Sequence, residues 1–203
     1  RYENVMDQIL EVIKTRRSVR RFLPDQIDRG EMERILDGGL WAPSGHNAQP
    51  WHFLVLRDRA LLDDLARRTQ ALMAESPCEW VRKLASRPGY HVFHRAPTVI
   101  VVSSKAEDPE SGVLSYAADC SAAIQNMLLV AESMNIGTCW IGLTKVLFDS
   151  EWDGASLGIP EGYHPIYSVA FGYKAEPSAS QGPARRENTV TWYGEENGGP
   201  ARG

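Results

Sequence analysis

Four arginines and one serine within six positions form the most chemically suggestive cluster in the sequence. The stretch TRRSVRRF contains Arg16, Arg17, Ser18, Arg20 and Arg21. If the chain is extended here, Arg16, Ser18 and Arg20 lie on one side, because alternate residues of a strand do. Two guanidinium groups and a hydroxyl then suit a phosphate monoester, since Arg donates through a planar fork. The alternative is a solvated basic helix end that complements the helix dipole.

A second candidate is the loop WAPSGHNAQPWHF, residues 41–53. Asn47 and Gln49 each carry a donor and an acceptor on one amide, which suits a planar ligand whose edge alternates carbonyl and N–H groups. Ser44 and Gly45 allow backbone N–H groups to come close to such a ligand, Gly because it lacks a Cβ. The alternative is a helix-end turn in which the amides cap backbone groups.

Other motifs give weaker signals. The sequence contains no GxGxxG, Walker-type loop, HExxH or GxSxG, which counts against dinucleotide-fold dehydrogenases, phosphate-loop NTPases, zinc peptidases and serine hydrolases. His91 and His94 have HxxH spacing, but no Cys, Asp or Glu is placed to complete a coordination shell, so no metal site is predicted. A basic pair, Arg185 and Arg186, lies far along the chain and means little alone.

Hydrophobic periodicity predicts the elements that must position these groups. Two helices come first, and the second begins at a capping box of Asp28 and Glu31 and ends by Pro43. Two further helices are predicted at 59–75 and 116–137, the latter apolar almost all round and stopped by Gly137. The predicted strands cover residues 51–57, 97–104, 137–143 and 164–174. This order indicates an α+β fold with a mixed sheet rather than a βαβ series.

Composition limits the classes of protein to which the chain can belong. The chain has 203 residues, 43% apolar and 24% charged residues, and a formal charge of −4, which are ordinary values for a globular protein. A nucleic-acid surface would have to oppose that charge, and no apolar run is long enough to span a membrane. Three cysteines without a CxxC pair favour a reducing, cytoplasmic setting. The chain begins at Arg1, so residues upstream of it can be missing.

The two motifs together resemble the FMN-dependent nitroreductase family. An Arg-Arg-Ser-x-Arg segment ends the first helix, and APSGHNAQPWHF follows about thirty residues later. The Ala-rich helix, GTCWIGL, LGIPEGYHP and the strand ending in AFGYKAE agree with the family in order and spacing. The resemblance runs from about residue 8 to 192. It implies one FMN-binding domain over 1–192, with a mainly antiparallel sheet flanked by helices, and a flexible tail at 193–203.

The resemblance also implies roles for individual residues. Arg16, Arg17 and Ser18 would bind the FMN phosphate and ribityl chain, joined by Arg185 or Arg186. Arg20 would approach the N1 and C2-carbonyl side of the flavin and tune it electrostatically. Backbone groups of Ile141 and Gly142 would meet the flavin edge. No catalytic acid is predicted.

The family is a domain-entwined homodimer with FMN in the interface, which the resemblance therefore implies here. The other subunit would contribute Pro43, Ser44, Gly45 and Asn47, with Gln49 as a secondary candidate. The implied reaction takes hydride from NAD(P)H through flavin N5 to a flat acceptor, such as a nitroaromatic or a quinone, in a ping-pong mechanism.

The segment 70–96 lies where the family builds its substrate lid. Its Trp80, Tyr90, His91, Phe93 and His94 would either stack on a flat acceptor or pack the lid against the sheet. Met127 and Trp140 are predicted to be core residues.

Cys120 and Cys139 are predicted to be buried and unreactive. Two alternative functions remain beside the reductase. One is a flavin enzyme of another class, such as a reductive dehalogenase or a dehydrogenase or oxidase of a small substrate. The other is a non-catalytic FMN-binding protein.

Overall fold

A computed structural model describes residues 2–106, 116–150, 152–178 and 182–194. Its helices and strands in chain order are α1 (Tyr2–Thr15), α2 (Arg29–Leu40), β1 (Trp51–Leu56), α3 (Arg59–Ala74), α4 (Glu79–Ala85), β2 (Thr98–Lys105), α5 (Tyr116–Ser133), β3 (Ile136–Ile141), α6 (Lys145–Phe148) and β4 (Tyr163–Tyr173). Short 3₁₀ turns at Gly45–Asn47 and Ala155–Leu157 complete the order. The predicted α+β class is confirmed.

The four strands form one antiparallel sheet in the order β1-β2-β4-β3. Strand β2, TVIVVSSK, is buried at every residue except its last, as a central strand of β-branched residues covered on both faces should be. A single parallel bridge joins Ser18 to Thr138 on the outer edge of β3. The sheet with its edge segment is therefore mixed but mainly antiparallel, as predicted.

Helices cover both faces of the sheet and divide the core in two. On one face α2 and α5 bury Ile35, Met127 and their neighbours against Ile100. On the other, α3 and α6 pack Leu62 and Leu147 against alternate residues of the same strands. This alternation follows from the two-residue period of a strand, and it leaves the outer edge of β3 as the place where the Arg-rich segment can join.

Helix α2 begins with a variant of the predicted capping box. The Asp28 carboxylate accepts from the Gly30 N–H at 2.8 Å, as an N-cap should. Glu31 does not reach back to the Asp28 N–H. Instead, the Tyr173 hydroxyl accepts from that N–H at 3.2 Å and donates to Glu31 at 2.7 Å. A phenol from β4 thus completes the box and ties α2 to the sheet.

The prediction that Gly137 ends the central helix is wrong. Helix α5 ends at Ser133, and Asn135 takes the left-handed conformation at φ 58°, which Asn tolerates better than most residues. Gly137 lies inside β3, where an added Cβ would be 2.9 Å from Val19 Cγ1. The glycine is needed so that the Arg-rich segment can lie close against β3.

No helix in the described part of the chain is both long and apolar enough to cross a membrane.

Candidate functional site

The Arg-rich segment leaves α1 and runs extended along the edge of β3, which is one of the two arrangements that the sequence left open. The Val19 N–H donates to the Thr138 carbonyl at 2.8 Å, and Ser18 and Arg20 are exposed while Arg16 is half-buried. This pairing directs Arg16, Ser18 and Arg20 to one side, because alternate residues of an extended chain share a side. The segment is thus an ordered edge of the sheet.

Arg17 departs from that picture because its guanidinium folds back onto the end of α1. Its Nη1 donates to the carbonyls of Lys14 and Arg16, both at 2.7 Å, which is the helix-end role that the sequence left open. Its Nε is buried and has no hydrogen-bond partner among the described residues. A buried donor without a partner is costly, so this N–H fits a site that an anionic group would complete.

A cleft of about 920 Å³ opens beside the Arg-rich segment. One wall is Arg20, Arg21 and Phe22, and the floor is the end of β3. The other wall is the end of α4 and the segment that follows it. The lining of the floor and that wall consists of Cys139, Trp140, Ile141, Gly142 and Leu143, and of Leu84, Arg87, Pro88, Gly89, Tyr90, His91, Val92, His94 and Arg95, with Ala175 at the margin.

Ile141 and Gly142 line the same cleft as Arg20. Ile141 is buried, whereas Gly142 is exposed and has open space where a Cβ would stand. A flat group could therefore approach the backbone at residue 142 without meeting a side chain. The structure brings Arg20 into the same cleft as Ile141 and Gly142, which lie about 120 residues later in the sequence.

His94 faces the cleft as a neutral imidazole. Burial, together with smaller contributions from the positive charge of Arg20 and from the nearby His91, lowers its pKa to about 4. A cation beside Arg20 is disfavoured because like charges repel. At neutral pH, His94 is a hydrogen-bonding group and not a cationic acid.

His91 is fully engaged in holding the cleft wall. Its Nε2 lies 3.1 Å from Asp63 Oδ1 on α3, and its Nδ1 accepts from the Arg95 N–H at 3.3 Å. Burial lowers the pKa of His91, opposed by its hydrogen bond to Asp63. Neither ring nitrogen is free for a metal, and no group of three or more His, Cys, Asp or Glu within the described ranges could hold one.

The three remaining aromatic residues of segment 70–96 lie in different environments. Phe93 is only 2% exposed and packs in the core, so for this residue the packing alternative is correct. Tyr90 lines the cleft and its hydroxyl contacts Met73 Sδ at 3.7 Å. Trp80 stands 59% exposed on α4.

Met127 is completely buried, which confirms the prediction. Trp140 is half-buried, stacks edge-on against Tyr167 and also borders the cleft.

The two cysteines of the core are buried thiols, as predicted. Burial raises the pKa of Cys120 to about 11, and burial also raises that of Cys139 despite the opposing charges of Arg20 and Arg16. Both therefore stay protonated and poorly nucleophilic at neutral pH.

The 41–53 loop is a strained, internally bonded turn. His46, Asn47 and Gln49 all have positive φ, at 51°, 55° and 44°, which is uncommon for residues with a side chain and concentrates at functional sites. The Gln49 N–H donates to Ser44 Oγ at 3.0 Å, and the Gln49 amide donates to the Asn47 side-chain oxygen at 3.1 Å. The two amides thus bond to each other and remain exposed. Neither amide caps a backbone group among the residues that the structure describes.

An acidic residue that the sequence analysis overlooked anchors this loop. The Gly45 N–H donates to both carboxylate oxygens of Asp119, at 3.2 and 3.3 Å. Asp119 lies in the first turn of α5, where a carboxylate also complements the helix dipole. Pro43 and Asn47 are exposed beside this anchor, while Ser44 and Gly45 are half-buried.

Within one chain, the loop and the Arg-rich segment lie at opposite edges of the sheet. Ser18 borders β3, and the loop leads directly into β1 at the other edge. Four strand spacings of about 4.8 Å separate them by about 19 Å. The cleft lining accordingly includes Arg20 but no residue of the loop.

Arg185 and Arg186 are exposed on a segment without regular structure. The preceding Gly182 lies directly against Arg17, since a Cβ at residue 182 would be 2.8 Å from Arg17 Nη2. The C-terminal segment therefore reaches the Arg-rich segment, and the choice between Arg185 and Arg186 stays open.

Comparison with known proteins identifies the family. The model of the Nitroreductase family matches residues 13–173. The chain belongs to this family. An Archaeoglobus fulgidus protein that carries the provisional name NADH dehydrogenase/NAD(P)H nitroreductase is 32% identical over 171 residues, 83% of this chain and 86% of that protein.

Solved nitroreductases share the fold over almost their whole length. A Bacteroides fragilis nitroreductase with bound FMN superposes with a TM-score of 0.78 at 32% identity, covering 92% of this chain and 98% of that one. A Desulfitobacterium hafniense nitroreductase with bound FMN gives 0.79 at 26% identity and the same coverage. The nitroreductase-like fold class expected from the sequence is confirmed.

Two cleft residues of this nitroreductase-family chain escaped the sequence analysis, namely Arg87 and Arg95. Both lie in irregular chain, where charged residues follow no period that a pattern could detect. The one available signal is in the stretch SRPGYHVFHRA, where two arginines stand among aromatic residues and histidines.

Proposed function

We propose that the protein is an FMN-dependent oxidoreductase that passes hydride from NAD(P)H to a flat acceptor such as a nitroaromatic or a quinone. The observation that carries this proposal is the 920 Å³ cleft in which an exposed Arg20 stands beside the open backbone at Gly142. Family membership and the FMN in the solved nitroreductases support it. When bound, FMN would supply the hydride acceptor and donor atom, N5 of the flavin.

The residues present fit that cofactor. Arg16, Arg17 and Ser18 would hold its phosphate, and the unpartnered buried Nε of Arg17 is a donor that the phosphate would satisfy. Arg185 or Arg186 would join them, because the segment that begins at Gly182 already touches Arg17.

Arg20 would set the electrostatics of the site. Its guanidinium is exposed in the cleft, where its strongest described contact is a 3.5 Å hydrogen bond to the Ser18 carbonyl. A fixed cation stabilises negative charge that develops during reduction. Ile141 and Gly142 would position the flat group from below with backbone atoms.

Proton supply does not require a charged side chain from this cleft. His94 is neutral at pH 7, and both nitrogens of His91 are already in use. The proton that accompanies hydride would come from solvent or from the acceptor. Donor and acceptor would occupy the cleft in turn, which gives ping-pong kinetics.

A homodimer would complete the site. The loop residues Pro43, Ser44, Gly45, Asn47 and Gln49 stand about 19 Å from the Arg-rich segment of their own chain, so they would serve the cofactor of a second copy. Apolar residues on α1 and after α2 are exposed in the single chain, with Ile9 at 56%, Ile13 at 45% and Trp41 at 79%. Such a surface is typical of an interface.

The cleft disfavours the dehalogenase alternative. A lid that grips an amino-acid zwitterion needs an anionic partner for the ammonium group, and no carboxylate belongs to the described lining of the cleft.

The unit over residues 1–192 is proposed as one FMN-binding domain, supported by a core that spans both faces of a single sheet. The proposed tail at 193–203 falls mostly outside the described residues. A cytoplasmic location is proposed from the three free thiols.

Anaerobic stopped-flow reduction of the FMN-loaded protein tests the proposed function. We expect NADH or NADPH to bleach the flavin absorbance, and an added nitroaromatic or quinone to restore it. Failure of both donors would reject the reductase. Bleaching that no acceptor reverses would favour the carrier.

A further inference from the structure

The cleft has a charge opposite to that of the whole protein. Its lining contains four arginines, Arg20, Arg21, Arg87 and Arg95, and no aspartate or glutamate among the described residues. The full chain carries a formal charge of −4. A low-dielectric chamber lined by one sign of charge concentrates ligands of the other sign, so the cleft favours an anion.

Two of these four arginines have other partners or roles. Arg21 is paired with Glu176 at 2.7 Å, and Arg20 belongs to the proposed cofactor site. For Arg87 and Arg95, no ion pair is found among the described residues. These two guanidinium groups are the charge that remains for a substrate.

The backbone holds this pair in place at some conformational cost. Tight turns close from Arg87 to Tyr90 at 3.1 Å and from His91 to His94 at 2.8 Å. His94 and Arg95 then adopt φ of 53° and 56°, a region where a glycine or asparagine would be cheaper than an arginine. Strain at a non-glycine residue beside a cleft indicates a functional constraint.

Side-chain contacts fix the same turn from behind. The Arg95 N–H donates to His91 Nδ1, and His91 is fixed in turn by Asp63 on α3. The side chain of His91 is only 9% exposed, whereas that of Asp63 is 52% exposed, so the imidazole is packed between two partners that reach the surface. Arg95 thus starts from a pre-organised backbone, which reduces the entropy that binding must overcome.

We propose that Arg87 and Arg95 form an anion subsite that selects flat substrates carrying a phosphate or carboxylate group. This inference rests on the proposed function and names the substrate class of that site. The anionic group could belong to the nicotinamide donor, as its phosphates, or to the acceptor, as a ring carboxylate. Arginine recognises both through the same planar fork.

Three variants test the subsite. Arg87→Gln and Arg95→Asn each remove the charge, and Asn keeps the left-handed backbone at residue 95. Arg34→Gln is the matched control, because Arg34 is an exposed arginine on α2, on the opposite face of the sheet from α3 and α6. Thermal unfolding of all three FMN-loaded variants checks that the fold is retained.

Two ratios of kcat/KM are measured in each variant. One compares 4-nitrobenzoate with uncharged 4-nitrobenzyl alcohol as acceptor, and the other compares NADPH with uncharged 1-benzyl-1,4-dihydronicotinamide as donor. Loss of a charged hydrogen bond is expected to lower at least one ratio about tenfold in Arg87→Gln and Arg95→Asn. The ratio that falls shows whether acceptor or donor carries the anion.

The opposite outcome is equally clear. If both ratios stay within about twofold of wild type, or fall equally in Arg34→Gln, the subsite does not exist. Calorimetric binding of 4-nitrobenzoate needs no turnover and separates the two proposals. If the wild-type protein shows no turnover, but the Arg87 and Arg95 variants bind 4-nitrobenzoate more weakly than wild type, the reductase is rejected and the subsite is kept.

Discussion

Arg20 is placed in the cleft by the alternation of side chains along the extended Arg-rich segment. The sequence places it two residues after Ser18 and four after Arg16, and the edge pairing with β3 fixes that alternation in space. Its charge reaches His94 across the cleft, since it helps to lower the pKa of that imidazole. A cation so placed would act on the redox balance of a bound flavin more than on its attachment.

Replacing Arg20 is therefore expected to change the reduction potential of the bound FMN. Arg20→Gln should make the midpoint potential more negative by about 30 mV or more, because about 1.4 kcal/mol corresponds to 30 mV in a two-electron couple. Arg21→Gln is the control, as Arg21 is paired with Glu176 and 74% exposed, and its shift should be much smaller. Spectroelectrochemical titration measures both, and equal potentials in wild type and Arg20→Gln would remove Arg20 from this role.

The low pKa of His94 is expected to make the folded protein less stable in mild acid. Its pKa is about 4 in the folded protein and about 6.5 when unfolded. Between those values the unfolded state binds more protons, so the free energy of unfolding falls as the pH drops from 6.5 towards 4.

The variant His94→Asn, which tolerates the positive φ, should flatten that dependence by about 1–2 kcal/mol after allowance for partial solvent screening. Urea unfolding of the FMN-loaded protein at pH 7 and pH 5 measures the difference. The burial of His52 and His91 lowers their pKa values too, so part of the dependence must survive. An unchanged slope in the variant would show that His94 titrates normally.

At the scale of the strands, two glycines on or beside β3 have different roles. Gly137 allows close packing, whereas Gly142 leaves space for a ligand. A Cβ at Gly137 would lie 2.9 Å from Val19 Cγ1 and 3.1 Å from Lys174 Cγ, whereas a Cβ at Gly142 would meet nothing within 4 Å. The side chain of Lys174 is itself held by a buried ion pair with Glu132 at 3.0 Å. The edge segment at Val19 would therefore have to move to make room at residue 137.

We expect Gly137→Ala to lower the free energy of unfolding by about 1–3 kcal/mol, because overpacking strains a filled core. Gly142→Ala should leave the stability of the FMN-free protein almost unchanged and weaken FMN or substrate binding. Urea midpoints and FMN titrations of both variants separate the two effects. If Gly142→Ala binds FMN and substrates as wild type does, its backbone is not approached closely.

The elements themselves were largely readable from the sequence. Periodicity located every long helix and all four strands, because each has one face or both faces in the core. The end of α5 was misplaced because the apolar Met134 and Ile136 extend the hydrophobic pattern past Ser133 towards β3. Asn135 makes the turn that Gly137 was expected to make. Asp119, Arg87 and Arg95 were missed because only tertiary packing brings them to the loop and the cleft.

At the scale of the whole molecule, we propose that two chains are needed to complete the FMN site. The resemblance supplied the dimer as an expectation, and the structure adds a physical reason in the exposed Ile9, Leu10 and Ile13 on one helix. An Ile9→Asp, Ile13→Lys variant should be monomeric and should lose FMN, since charge at the centre of an interface is strongly unfavourable. Light scattering gives the mass. A wild-type monomer with tightly bound FMN would contradict the dimer.

The central claim is that arginines of one chain and the loop of its partner hold a single FMN. A mixed dimer tests it directly. One parent carries Arg16→Glu with Arg17→Glu, the other carries Gly45→Leu, and neither is expected to bind FMN alone. Co-expression with two different tags isolates the hybrid, in which one of the two sites combines intact arginines with an intact loop, as two-fold symmetry requires. FMN titration should give one bound FMN per hybrid dimer. A hybrid that binds none, although both chains are folded and paired, would contradict the account.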